Sequence, residues 1–193
     1  MAAKESTFFK MLVTLVAVTL VAALSLGFVY KWTKEPIAQA KLAKQMRAIE
    51  AVVTDYDNDP VADGYRVLSA NRKDSLVFFP AKKNGKLTGT AIRTYSSEGY
   101  GGDVVIMVGL DTTGTILNIS VVEHAETPGL GSKMTMPFFL DQFLQKDPGH
   151  VDLRVKKDGG TIDAISGATI TSRAFSEAVQ LAYDTYKMNE HGK

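Results

Sequence analysis

An uncharged run of twenty residues near the N-terminus constrains this chain more than any other feature. Residues 11–30 read MLVTLVAVTLVAALSLGFVY and contain no ionisable Asp, Glu, Lys, Arg or His side chain. A helix of about 20 residues, rising about 1.5 Å per residue, crosses the roughly 30 Å hydrocarbon core of a bilayer. A cleaved signal peptide has a shorter apolar region, of about 7 to 15 residues, and then small residues. Because the aromatic residues Phe28, Tyr30 and Trp32 stand at its end instead, we predict an uncleaved transmembrane anchor over residues 1–34.

The basic residues around this segment bear on which side of the membrane the remainder of the chain occupies. Lys4 and Lys10 precede the segment, whereas Lys31, Lys34, Lys41, Lys44 and Arg47 follow it. The positive-inside bias therefore favours a cytoplasmic location for the C-terminal part. A long C-terminal domain translocates largely regardless of such charges, so this count carries little weight.

Composition excludes several classes of function. With 193 residues, 45% hydrophobic and 22% charged, the chain can form one globular domain in addition to the anchor. A net charge of +1 argues against a nucleic-acid partner, which would require a clear basic excess. The chain has no cysteine, which excludes disulfides, thiol nucleophiles and cysteine-ligated metal clusters. Any redox chemistry must therefore come from a bound cofactor.

The segment after the anchor, residues 35–55, predicts a helical stalk that packs onto the domain. Pro36 fits a first helical turn. The apolar residues at helical spacing are Leu42, Met46, Ile49 and Val53.

Three aspartates at alternate positions, Asp55, Asp57 and Asp59, imitate the start of a calcium-binding loop. Pro60 stands where that loop requires glycine, and Arg66 stands where it requires glutamate. We therefore predict a polar loop without a metal.

A sheet is predicted over residues 75–123, where β-branched and apolar runs are separated by glycine-containing turns. The turns KNGK and LDTTGT are short enough for antiparallel hairpins, whereas parallel pairing needs a crossover of about a dozen residues. The following SRAFSEAVQLAYDTYKM predicts a helix that covers the sheet, and its apolar face consists of Phe175, Ala178, Val179, Ala182, Tyr183 and Tyr186. A mostly antiparallel sheet with segregated helices is an α+β fold, which we predict over residues 56–193.

Two further segments, HAETPGLGSK and SGATITS, are candidates for a site. Pro128 and Gly129 in the first are also typical of a simple turn, and the hydroxyls of the second are also typical of a helix cap. A helix N-terminus offers unpaired N–H groups that favour a phosphate. No basic side chain is expected nearer to this segment than Arg173, and NTP hydrolysis is not expected because the lysine of nucleotide-binding loops is missing. A Ser166 nucleophile with His124 as its base remains an alternative.

Residues 163–169, DAISGAT, match the flavinylation motif D-x-x-[S/T]-G-A-[S/T], at whose last hydroxyl an FMN transferase attaches FMN. Together with GYGGDVVIMVGLD, HAETPGLGSKM and the anchor, this motif makes the chain resemble RnfG, the G subunit of the Rnf electron-transport complex, over nearly its whole length. The related NqrC, the C subunit of the Na+-translocating NADH:quinone reductase, shares these motifs but is usually longer.

The resemblance implies a covalent phosphoester between FMN and Thr169. It also implies that Glu126 and His124 tune the flavin ring, and that Tyr100, Gly101 and Gly102 form a bend beneath it. The remaining cofactor contacts that it implies are Ser166, Gly167, Ala168, Thr127, Leu130, Gly129, Gly131 and Thr171.

The function implied by the resemblance is that of a single-pass flavoprotein in the cytoplasmic (inner) membrane. In this family the complex exchanges electrons between ferredoxin and NAD+ while it moves Na+ or H+, and the flavin domain lies outside the cytoplasm. The implied partners are the other subunits of the complex and the FMN transferase. Two alternatives remain, namely the C subunit of the Na+-translocating NADH:quinone reductase and a membrane-tethered module that binds a non-covalent anionic ligand.

Overall fold

The computed structural model describes residues 8–191, and the chain divides into two compact units, the first ending at Ala43 and the second beginning at Lys44. Helix α1 extends from Phe8 to Val52. Its most apolar 18-residue window has a mean hydropathy of 2.5, and none of that window is buried within the protein. Length and composition therefore make α1 a candidate membrane span, as predicted.

Pro36 lies inside α1, so the prediction that it begins a separate helix was wrong. That prediction relied on the preference of proline for a first helical turn. Inside a helix, proline removes the hydrogen bond to the carbonyl group four residues earlier, here that of Trp32. The strongly helical sequence on both sides continues through this defect. The boundary between an anchor over residues 1–34 and a stalk over residues 35–55 stays a prediction.

Five antiparallel strands form a meander in which every strand pairs with its neighbour in the chain. They are β1 Tyr65–Leu68, β2 Ser75–Lys83, β3 Lys86–Gly99, β4 Gly102–Asp111 and β5 Ile116–Glu123. The antiparallel α+β fold predicted from the sequence is confirmed. The four-residue β1 was missed because YRVL is short and has no buried position that would produce an alternating pattern.

The two predicted hairpin turns are confirmed, and their backbone conformations explain their sequences. Asn84 and Gly85 join β2 to β3 with φ values of 51° and 76°. Two successive left-handed residues are the requirement of a type I′ turn, which favours Asn-Gly. Between β4 and β5, the Asp111 carboxylate accepts the N–H groups of Thr113, Gly114 and Thr115 at 2.8 to 2.9 Å.

Helix α3, Thr169–His191, covers one face of the sheet, and all six residues of its predicted apolar face are buried. On the same side, α2, Pro137–Leu140, contributes Phe139 to a cluster with Phe143 and Phe175. The ring centroids in this cluster are 5.1 to 5.4 Å apart, a separation typical of favourable aromatic pairs.

The opposite face of the sheet is covered by the end of α1 and the residue that follows it. Ile49 and Val53 are buried there, as the predicted stalk requires, but Leu42 and Met46 are exposed. The helical spacing of apolar residues therefore extends further towards the N-terminus than the part of α1 that packs on the sheet.

The three aspartates that imitate a calcium loop have structural partners. Asp55 pairs with Lys83, Asp57 accepts the N–H of Asn84 at 2.8 Å, and Asp59 accepts the N–H of Val61 at 3.0 Å. Each carboxylate thus stabilises a turn or a neighbouring strand.

We predict that Gly109→Ala destabilises the domain by about 1 to 3 kcal/mol, the usual range for overpacking. A Cβ at this position of β4 would lie 2.1 Å from the carbonyl oxygen of Val52, so the end of α1 would have to move. Thermal unfolding of the full chain in detergent measures the effect. Gly27→Ala is the control because no heavy atom lies within 4 Å of its added Cβ. Equal melting temperatures for the two variants would contradict the prediction.

Candidate functional site

A cleft of about 640 Å³ lies where the loop after β5 meets the start of α3. This volume is within the range of about 300 to 1,000 Å³ that is usual for small-molecule sites. The lining residues are Tyr100, Glu126, Thr127, Leu130, Gly131, Lys157, Gly167, Ala168, Thr169, Ile170 and Thr171. The fold therefore brings most of the predicted cofactor contacts together. Those that do not line the cleft are Ser166, Gly129, His124, Gly101 and Gly102.

The loop after β5 forms one wall of this cleft through a tight turn over residues 127–130. Pro128 and Gly129 occupy its two central positions, and Gly129 has φ 78°. This is the residue pattern of a type II turn. Leu130 donates its N–H to the carbonyl of Thr127 at 3.2 Å, and the Ser132 hydroxyl accepts the N–H of Gly129 at 2.9 Å. The predicted turn is confirmed, and it places the apolar side chain of Leu130 on the cleft.

The start of α3 forms the opposite wall. The Ser172 hydroxyl donates to the carbonyl of Ala168 and accepts the N–H of Ile165, both at 3.0 Å. It therefore closes the loop that precedes the helix, but it accepts no N–H group of the first turn of α3 and so is not a helix cap.

The first N–H groups of α3 have no hydrogen-bond acceptor among the described residues. Among the described residues, no hydrogen bond is formed by the backbone N–H of Thr169, Ile170 or Thr171. Gly167, with φ 76°, turns the chain into the helix without a side chain. The Thr169 hydroxyl thus stands beside three free donors at the positive end of the helix dipole.

Glu126 is a buried carboxylate at the junction of the two walls, with only 5% of its surface exposed. Its Oε2 accepts the Thr171 hydroxyl at 2.6 Å, and its Oε1 accepts the N–H of Gly101 at 3.1 Å. A Cβ on Gly131 would lie 2.3 Å from Oε2, and one on Gly101 would lie 2.1 Å from the carbonyl oxygen of Ala125. These two glycines therefore make room for the carboxylate and its loop.

Among the described residues, Lys157 is the basic residue within hydrogen-bonding distance of the predicted attachment point, which corrects the expectation that Arg173 would be nearest. Its Nζ lies 3.4 Å from the Thr169 Oγ1. Arg173 instead pairs with Asp158 at 2.7 Å, and this hydrogen bond holds the pKa of the Asp158 carboxyl below its usual value. Sequence reasoning missed Lys157 because it precedes Thr169 by twelve residues, with no periodic pattern connecting the two.

The His124 and Ser166 side chains do not form a nucleophile and base arrangement on this cleft. His124 is exposed, and its Nδ1 accepts the N–H of Glu126 at 3.2 Å. Ser166 is also exposed, and neither residue lines the cleft. Tyr100, which the resemblance placed beneath the flavin, does line it and is 73% exposed.

We predict that Thr171→Val lowers the free energy of unfolding by about 1 to 3 kcal/mol, because it leaves a buried carboxylate oxygen without its donor. Thr135→Val is the matched control: that exposed hydroxyl donates to the carbonyl of Ser132 at 2.9 Å, and water can replace it. Denaturation of both variants under identical detergent conditions provides the comparison. An equal decrease in the free energy of unfolding of the two variants would show that the hydrogen bond between Thr171 and Glu126 stabilises the protein no more than an exposed hydrogen bond does.

Comparison with known proteins places this geometry in a family. Residues 99–184 match the family model described as the FMN-binding domain, which includes both walls of the cleft. Among solved structures, NqrC from Shewanella oneidensis aligns with a TM-score of 0.51 at 22% identity, covering 75% of this chain and 72% of that one. At this level of identity the likeness concerns the fold alone.

Curated relatives are similar over most of their length. The chain is 37% identical to the G subunit of the ion-translocating oxidoreductase complex of Pasteurella multocida, over 92% of this chain and 91% of that protein. It is 36% identical to the corresponding G subunit of Stutzerimonas stutzeri, over 88% of this chain and 76% of that protein. As its motifs predicted, the chain belongs to the RnfG family, the G subunits of ion-translocating oxidoreductase complexes of the Rnf type.

Proposed function

We propose that this chain is a membrane-anchored flavoprotein subunit of an Rnf-type ion-translocating oxidoreductase complex and that it carries FMN as a phosphoester on Thr169. The observation that carries the proposal is the position of the Thr169 hydroxyl. It lies on the cleft, at the start of α3, 3.4 Å from the Nζ of Lys157 and beside N–H groups that no described residue accepts.

The two ends of the cleft fit the two parts of FMN. Free N–H groups at a helix start, together with a nearby ammonium group, suit a phosphate. Leu130, Ile170 and Tyr100 provide exposed apolar and aromatic surface, which suits a flat ring system. Glu126 would lie near the ring, where its buried carboxylate would oppose additional negative charge.

Attachment requires an activated donor, and we propose an FMN phosphoanhydride such as a flavin dinucleotide, used by an FMN transferase. The Thr169 Oγ1 would form a bond to the FMN phosphorus as the phosphoanhydride bond breaks. The nucleoside monophosphate would leave, and the hydroxyl proton would pass to solvent. Because the link is covalent, occupancy would not depend on the free flavin concentration.

Bound FMN would supply the electron transfer, and the protein would supply its position and its electrostatic surroundings. The relatives' names describe subunits of an ion-translocating oxidoreductase complex, so we propose other subunits of such a complex as the electron donor and acceptor. The overall exchange would be between ferredoxin and NAD+, coupled to movement of Na+ or H+. The chain alone would not turn over substrate.

We predict that Thr169→Ala abolishes covalent flavin when the full chain is produced together with an FMN transferase. The wild-type chain should show the mass of one added FMN after denaturation, and it should fluoresce as a flavin on a denaturing gel. Thr169→Ser keeps a hydroxyl and should retain part of the label, and Thr135→Val, which lies outside the motif and the cleft, should retain all of it.

Two results would contradict this proposal. Flavin that persists on Thr169→Ala would place the attachment elsewhere. A ligand that is bound in the native wild-type chain but released on denaturation would support the alternative of a non-covalent anionic ligand at the same cleft.

We also propose that α1 crosses the cytoplasmic membrane once and that the flavin domain lies on its outer side, against the flanking charge count. The absence of native cysteine allows a direct test. Asn84→Cys, in the β2–β3 turn, should react with a membrane-impermeant maleimide in intact spheroplasts, whereas Ala3→Cys should react only after lysis. The reverse pattern would place the domain in the cytoplasm.

A further inference from the structure

We propose that Lys157 is a positioning residue that holds the anionic phosphate of the flavin at Thr169. This inference rests on the proposed FMN site. Its starting point is the distance of 3.4 Å between the Lys157 Nζ and the Thr169 Oγ1, across the end of the cleft that also exposes the free N–H groups of α3.

The backbone that carries Lys157 is fixed on both sides. Lys157 is the middle residue of a single 3₁₀ turn, Lys156–Asp158. The Lys156 Nζ lies 2.7 Å from the Asp163 carboxylate, and the backbone N–H of Lys156 donates to the carbonyl of Ile162 at 2.8 Å. Asp158 accepts two hydrogen bonds from Arg173 of α3, both at 2.7 Å. With its two neighbours tied to the motif segment and to α3, the lysine between them is directed at the cleft.

The charges around the cleft leave Lys157 available for an anion. Lys156 and Arg173 are each neutralised by a carboxylate, whereas no carboxylate oxygen of the described residues lies within 4.0 Å of the Lys157 Nζ. The buried Glu126 carboxylate is already bound by the Thr171 hydroxyl and the Gly101 N–H. A phosphodiester on Thr169 would keep one negative charge, and Lys157 is the cation nearest to it.

Lysine suits this task for a chemical reason. Its ammonium group is a point charge with three donors on a flexible stem, so it can follow the phosphate as its ester bond forms. The backbone N–H groups at the start of α3 are fixed in direction. Lys157 therefore adds adjustable charge to a rigid set of donors, both while the phosphate is positioned for attachment and after the ester exists.

The test uses full-length chain, purified without flavin, and an FMN transferase with its donor at low ionic strength. We expect Lys157→Gln to slow covalent flavin incorporation, followed by intact mass, by about three- to tenfold, which converts to about 0.6 to 1.4 kcal/mol, the usual net contribution of one hydrogen bond. Lys157→Arg should keep most of the rate. Lys82→Gln is the matched control, because it removes the same charge from β2, outside the cleft, and breaks only the exposed ion pair with Asp63.

Salt provides a second criterion. The deficit of Lys157→Gln should shrink as ionic strength rises from about 0.1 M to 1 M, because the screening length falls from about 10 Å to about 3 Å. A wild-type rate for Lys157→Gln, or an equal loss in Lys82→Gln, would overturn the proposal.

A measurement without the transferase separates phosphate binding from recognition by that enzyme. In chain that already carries its flavin, the ³¹P resonance of the phosphodiester should shift in Lys157→Gln and stay unchanged in Lys82→Gln. An unchanged resonance in Lys157→Gln would refute contact with the phosphate. Failure of the FMN site itself would be recognised differently, by a wild-type chain that gains no covalent flavin.

Discussion

The arrangement of the cleft depends on the hydrogen bonds that the buried carboxylate of Glu126 accepts. A buried charge is costly unless donors compensate it, and here one donor comes from Thr171 of α3 and another from Gly101 between β3 and β4. The carboxylate therefore joins the loop after β5 to the sheet and to the last helix. The cluster of Phe139, Phe143 and Phe175 packs the same loop region against α3 by apolar contact.

The hydroxyl-rich start of α3 shows how similar residues acquire different tasks. Ser172 bonds only local backbone and shapes the loop, whereas Thr171 holds Glu126. Thr169 faces the cleft beside Lys157, with the free N–H groups of the first helical turn. A local structural role and a ligand-binding role of this segment are therefore compatible, because they concern different side chains. Only some of the polar groups at a helix start form hydrogen bonds within the protein, and the others can bind a ligand.

Most of the fold could be predicted because its helices, strands and turns each follow a local pattern of residues. The apolar face of α3 follows helical spacing, and the Asn84-Gly85 turn encodes its own backbone conformation. Predictions failed where the local signal was weak or ambiguous. The strand β1 is too short to show alternation, and Pro36 is compatible with a helix start but lies within α1.

The sequence by itself determined a membrane-length apolar segment, an antiparallel sheet with a covering helix, and the motif that ends at Thr169. Each of these depends on residues that are close together in the chain, and their spacing follows the geometry of one helix, one strand or one turn. Only the tertiary structure decided which charges surround that threonine. Lys157 lies near Thr169 although twelve positions separate them in the chain, and Glu126 contacts Thr171 although forty-five positions separate them. Such contacts depend on how the loops and helices pack together, and no local pattern in the chain specifies them.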